Sequence, residues 1–147
     1  METDGELSFN CAESVIIKTR RDLQLDEIDT SCMQVASVLG GGIAGSGRVC
    51  GAVTGGVMCL GVLLGTTGTE IPAEFNRKRN QARNIIGRFL EDFATAWGTT
   101  TCRYLRAMDK GKREPAGTQR GEKNEGEFHC EEYVQWVFEW LKDYLNQ

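Results

Sequence analysis

From Val49 to Gly65 the chain reads VCGAVTGGVMCLGVLLG, 17 residues without a charge, five of them glycine. A run of this length is at the short edge of what crosses a bilayer, and Gly51-x-x-x-Gly55 and Gly61-x-x-x-Gly65 have the small-residue spacing of membrane helix dimers. No Trp or Tyr belt flanks it, the nearest charges are Arg48 and Glu70, and the rest of the chain reads as soluble. It therefore reads as a helix that is apolar all round and buried at the centre of a bundle, with no membrane span. Each glycine costs a helix about 1 kcal/mol relative to alanine. That cost points to close packing, because a backbone without side chains lets a neighbouring helix or a cofactor approach.

The segments around this run are helical in pattern, with no convincing strand and no internal repeat. A first helix is expected from about Cys11 to Asp22, with Asn10 as its N-cap and Glu13 completing a capping box. Its last turn carries Lys18, Arg20 and Arg21, which suit the negative end of the helix dipole. A second is expected from Thr30 or Ser31 to Gly40, before the GGGIAGSG stretch of Gly40 to Gly47 breaks it. Pro72 starts a long helix in which Phe75, Ala82, Ile85, Ile86, Phe89, Phe93 and Trp97 recur at helical spacing, and Gly98 ends it. Its other face, with Arg77, Lys78, Arg79, Arg83 and Arg88, reads as solvated rather than as an RNA or anion contact. Thr99, Thr100 and Thr101 offer caps for a short helix through Met108. A polar, mobile loop is expected over about 109–127, then a last helix from His129 to Leu145. That helix is rich in aromatics, which suits burial or a homodimer interface. At 147 residues the expectation is all-α: one domain, a bundle of five to six helices around the Gly-rich apolar one.

A net charge of −4 argues against a general nucleic-acid binder. Met1 to Asn10 is acidic and polar, unlike a secretory signal, so a cytoplasmic protein with reduced thiols is expected. Six cysteines there point to thiol redox chemistry, a cluster or a metal rather than a disulfide framework.

Their placement is specific. Cys11 follows the cap Asn10, Cys50 opens the apolar helix, Cys102 follows three threonines, and Cys130 starts the terminal helix beside the single histidine, His129. The first turn of a helix has unpaired N–H groups and the positive end of the dipole, and both favour thiolate over thiol. Lowered thiol pKa values are thus expected at all four. Cys32 also follows a candidate cap and is a fifth candidate. Cys59, nine residues after Cys50 and so about 180° round the same helix, reads as core. No Cys-x-x-Cys signals a thioredoxin-like dithiol or a zinc ribbon. Gly40-x-Gly42-x-x-Gly45 matches the dinucleotide fingerprint only formally, since no strand precedes it, and no nicotinamide cofactor is expected. The remaining alternatives are a non-catalytic metal site and a helical partner-binding protein with inert cysteines.

Phe9-Asn10-Cys11-Ala12, Gly40-Gly41-Gly42-Ile43, Cys50-Gly51-Ala52-Val53-Thr54-Gly55, Cys102-Arg103-x-Leu105 and the late Cys130 resemble, in order along nearly the whole chain, the C_GCAxxG_C_C family. This is a group of small bacterial proteins described as redox-active. The resemblance implies that Cys11, Cys50, Cys102 and Cys130 are the functional set, either as redox thiols or as ligands of an iron–sulfur cluster or metal. It gives no support to Cys32 or Cys59. A related domain in a multihaem cytochrome implies that such a fold can house a cluster. Haem is not carried over, since the Cys-x-x-Cys-His attachment signature is missing. Gly42, Gly51, Ala52 and Gly55 would then be the backbone against a cofactor. The implied activity is that of an oxidoreductase or electron carrier, with a redox protein or a small-molecule thiol or electron donor as partner. Arg106 and the polar loop after it are where partner choice is expected to differ.

Overall fold

Asn10 sets where the first helix begins. In the computed structural model, which describes residues 6–113 and 130–147 (backbone alone for 109–113), its side chain accepts the Glu13 N–H at 2.7 Å. The Glu13 carboxylate takes the Asn10 N–H in return, at 2.8 Å. This capping box starts α1 (Cys11–Leu23), and Gln24 closes it in a left-handed conformation. Asp29 caps α2 (Thr30–Ala36), accepting from Ser31 N at 3.0 Å. The helix stops at Ala36, short of the expected Gly40, and Ser37 turns its hydroxyl back onto Gln34 O.

The glycine stretch forms a tight turn in which residues with a Cβ join the glycines in left-handed conformation. Five consecutive residues, Gly41 to Ala44 and Gly45, take positive φ (66°, 79°, 71°, 53° and 73°). Ile43 and Ala44 hold this left-handed state at a cost of about 1–2 kcal/mol each. Long-loop hydrogen bonds tie the turn to itself: Ala44 N to Val38 O (2.8 Å), Gly47 N to Gly41 O (2.9 Å), Arg48 N to Gly42 O (3.0 Å).

The apolar run forms α3 (Gly51–Leu64), with Cys50 as its N-cap. It lies parallel to α1 in a four-residue register. A Cβ at Gly51 would meet Cys11, and one at Gly55 would meet Ala12 and Val15. The close packing expected of these glycines is thus observed. At Gly56 the neighbours are Phe89 and Val137, so α3 is touched on other sides by the fourth and sixth helices.

Pro72 opens α4 (Pro72–Trp97), which ends at Gly98 with φ 93°. α5 (Cys102–Arg113) runs past Asp109, so the first residues of the expected polar loop are helical; residues 114–129, with the rest of that loop and His129, lie outside the described residues. α6 (Cys130–Leu145) runs antiparallel to α4: Trp97 meets Tyr133 edge-on and Phe93 meets it tilted, while Phe89 meets Trp140, whose Nε1 donates to Asp92 at 2.8 Å.

The fold is therefore all-α, with six helices among the described residues. One isolated antiparallel bridge, Val49 with Thr101, is the extended pairing there. No described helix is long and apolar enough to cross a membrane. Because α1 and α3 run parallel and α4 returns the chain to their starting end, α5 begins beside them. α6 runs parallel to α1 as well, with Cys130 near Cys11 and Phe138 beneath Lys18. Four helices thus start at one end of the bundle.

Candidate functional site

Each of those four starts carries a cysteine. Cys11 is the first residue of α1, Cys102 of α5 and Cys130 of α6, and Cys50 is the N-cap of α3. All six cysteines of the chain are free thiols.

The bridge explains how two of the four meet. Cys50 N donates to Thr100 O at 2.8 Å, and Cys102 N donates to Arg48 O at 2.5 Å. Side chains alternate across extended backbone, so Cys50 and Cys102 share the face opposite Val49 and Thr101. As diagonal neighbours their Cα atoms are about 7–8 Å apart. Both are buried, whereas Val49 is exposed. Gly42 backs this arrangement, since a Cβ there would stand 2.8 Å from Cys102 Cβ and 2.5 Å from Arg48 N.

Cys11, Cys102 and Cys130 line one open cleft of about 530 Å³, together with Phe9, Asn10, Ser14, Lys18, Gly41, Arg106, Glu131, Val134 and Gln135. That volume suits a small molecule or a peptide segment. Cys50 lies behind the cleft, almost without exposed surface.

The four sulfurs do not share one protonation behaviour. The Cys130 thiol donates a hydrogen bond to Cys11 and lowers its pKa from 9.0 to about 6; burial opposes this, and the N–H groups of Gly41, Cys11 itself and Ala52 add to it. Cys130, as the donor of that bond and beside the resulting charge, is pushed up. Burial pushes Cys50 up to about 12, despite the N–H groups of Val53 and Ala52. Burial also raises Cys102, against the Arg106 guanidinium, whose Nη1 lies 4.0 Å from its sulfur. The expectation of four lowered pKa values thus fails for three. A helix N-terminus favours a thiolate, but burial outweighs it at Cys50 and Cys102, and at Cys130 the bond given to Cys11 does so first. Only Cys11 combines a thiol donor with several N–H donors.

Among the predicted backbone contacts, Ala52 donates to Cys11 and Cys50, and Gly51 makes room for the Cys11 sulfur. Gly55 instead packs on Ala12 and Val15, which gives it a helix-packing role and not the cofactor contact expected of it. Gly41, rather than Gly42, aims its N–H at Cys11, an effect of the left-handed turn that no motif announces. Ser14, Lys18 and Arg106 were open to sequence reasoning: they follow Cys11 by three and seven residues and Cys102 by four, one helix face in each case. Among the described residues no three His, Cys, Asp or Glu side chains converge as a site for one metal ion.

The sequence model of one protein family, described as "Putative redox-active protein (C_GCAxxG_C_C)", matches residues 9–144. The chain belongs to this family. No curated protein and no solved structure matches it. The four cysteines that the resemblance singles out, Cys11, Cys50, Cys102 and Cys130, are the residues at the four helix starts. Gly51 clears space for Cys11, and Gly55 seats the helix that carries it.

Proposed function

We propose that this member of the family is a thiol–disulfide redox protein in which Cys11 is the attacking thiolate and Cys130 the resolving thiol. The reading rests on Cys11 and Cys130 lining one open cleft, with the Cys11 pKa brought down to about 6 by the Cys130 thiol and by N–H groups. A thiolate is the form that attacks disulfides, and a pKa just below ambient pH keeps it both populated and nucleophilic.

In the oxidising direction Cys11 attacks a partner disulfide, forms a mixed disulfide and releases one partner thiolate. Cys130 then attacks the Cys11 sulfur, its proton leaves with the second partner sulfur, and a Cys11–Cys130 bond remains. The partner gains two electrons and the protein loses them; reduction runs the same steps backward. The partner is a protein or small-molecule disulfide in the cytoplasm. Cys102, buried and protonated, walls the cleft, with Cys50 behind it.

The family likeness also raises an iron–sulfur cluster. The cysteine side chains as placed do not converge as a single-metal site, and no step is derived through one. Anaerobic purification with iron and sulfide analysis, followed by thiol counting after a small disulfide is added, decides the matter. The proposal expects an iron-free protein that gains a Cys11–Cys130 bond, located by peptide mapping. A coloured protein with iron, sulfide and four protected cysteines would replace it.

A further inference from the structure

The charges around the cleft are unequal in sign and in burial. Two cationic residues line it, Lys18 from α1 and Arg106 from α5, and both are half-buried. Among the described residues one carboxylate lines it, that of Glu131 in the first turn of α6, and Glu131 is exposed. A half-buried charge acts on a guest more strongly than one in open water, which solvent and salt screen. The walls therefore favour a guest with a negative group set apart from its reacting sulfur.

The two cations stand at different places. Lys18 follows Cys11 by two helical turns, about 10 Å along α1. Its Nζ pairs with Asp22 at 3.3 Å and lies 4.6 Å from the centre of the Phe138 ring. Arg106 stands at the cysteine end, with Nη1 4.0 Å from Cys102 Sγ. Cys102 packs on the glycine turn: a Cβ on Gly42 would lie 2.8 Å from Cys102 Cβ, while the residue before it, Gly41, lines the cleft and gives its N–H to Cys11. Adjacent Cα atoms are about 3.8 Å apart, so one short piece of backbone holds Cys11 and Cys102 in the same wall, with the guanidinium beyond Cys102. A guanidinium presents a planar fork of N–H groups that matches a carboxylate.

We propose that the cleft takes a small disulfide bearing a carboxylate, and that Arg106 holds this carboxylate while Cys11 attacks the sulfur. The cleft, at about 530 Å³, has room for a guest of this size. The proposal rests on Cys11 as the attacking thiolate and adds the class of its substrate. A bond forms between Cys11 and one guest sulfur as the guest S–S bond breaks, and one carboxylate-bearing half leaves as a thiolate. Cys130 then attacks the Cys11 sulfur, its proton goes to the second half, which leaves as a thiol, and the Cys11–Cys130 bond closes. The guest gains the two electrons that the two protein thiols lose. Arg106 moves neither proton nor electron; it holds the half that stays bound between the two steps.

Three small disulfides of similar length separate charge from shape: dithiodipropionate with a carboxylate on each half, hydroxyethyl disulfide with none, and cystamine with an ammonium on each half. The rate of Cys11–Cys130 bond formation in the full chain is followed by acid quenching and peptide mapping. Each rate is divided by that of the same disulfide with a free thiol in solution, which cancels intrinsic reactivity. The parent protein should prefer dithiodipropionate to hydroxyethyl disulfide by about fivefold at low salt, with cystamine slowest, and the preference should shrink as salt is added. Arg106→Gln should abolish the preference and Arg106→Lys should restore part of it. Because each preference is a ratio of two rates on one variant, a change in Cys11 itself drops out. Should Arg106→Gln fail to fold, the ranking and its salt dependence in the parent still decide. Equal rates for the three disulfides, cystamine fastest, or a preference that survives Arg106→Gln would overturn the proposal while leaving the thiol chemistry intact. No Cys11–Cys130 bond with any of the three would overturn the thiol–disulfide reading, and the proposal with it.

Discussion

Gly51 and Cys11 face each other across the seam of α1 and α3 so closely that a Cβ on Gly51 would stand 2.8 Å from the Cys11 sulfur. Gly51→Ala should therefore leave the helices formed but displace the sulfur from the Gly41 and Ala52 N–H groups. The pH midpoint for alkylation of Cys11 should rise by about one unit, with a roughly tenfold lower rate just below the original midpoint. Iodoacetamide labelling followed by peptide mass spectrometry measures this, with circular dichroism to check the fold. An unchanged midpoint would mean that the close approach does not hold the thiolate.

The same labelling across pH should show Cys11 of the parent protein titrating near 6, far below 9.0. Cys130→Ala removes the thiol donor that lowers the Cys11 value most and should move that midpoint upward, slowing labelling at neutral pH. The thiol pair titrates as a unit, so the midpoint belongs to the pair. For stability the sign follows from the lowered folded value. The unfolded chain holds the Cys11 proton up to about 9 and the folded chain releases it near 6. Stability from this group should rise with pH across that window, be complete above it and vanish below it. Urea midpoints of the parent and of Cys11→Ser, compared at several pH values, should diverge in that direction.

Asn10 caps α1 and also donates its amide to Ala36 O at 3.2 Å and Ser37 O at 3.3 Å, fastening the end of α2 to the start of α1. Asn10→Ala should cost about 1–2 kcal/mol for the cap alone, with the lost tie added. Asn10→Asp should keep the cap but lose the amide donor, and so fall between the two. Chemical denaturation measures both.

Glycines of α3 should respond in opposite ways. At Gly56 a Cβ would lie 2.7 Å from the Phe89 ring and 2.8 Å from Val137, whereas at Gly61 it meets nothing within 4 Å. Gly56→Ala should destabilise by about 1–3 kcal/mol through overpacking. Gly61→Ala should stabilise by about 0.5–1 kcal/mol through helix propensity. Thermal melts of the two single variants would expose an error if both moved the same way.

Much of the architecture was legible because it rests on local signals. The Asn10–Glu13 capping box, Pro72 and Gly98 mark helix ends by chemistry that acts within one turn. The apolar run gave away the central helix because only a buried helix tolerates it. The convergence of four sulfurs was legible only through the family resemblance, since no local rule brings residues 11 and 130 together. The protonation pattern was not legible at all. A helix start can be seen in sequence, but whether water reaches it depends on what the other helices cover, and that decided Cys50 and Cys102. The left-handed run through Ile43 and Ala44 also escaped notice, because side chains with a Cβ normally argue against that conformation.

Parallel neighbours impose a return journey. α1 travels about 20 Å away from the cysteine end, at 1.5 Å per residue over 13 residues, and the chain has to come back before α3 can start beside it. The stretch from Gln24 to Arg48 makes that journey, and its final turn is what hands the Gly41 N–H to Cys11. Spacer and thiolate donor are thus one piece of backbone. A deletion there that looked harmless in a connecting segment would strip the reactive sulfur of one of its N–H donors, whereas the end of α3 near Gly61 could be redrawn with little effect on the thiols.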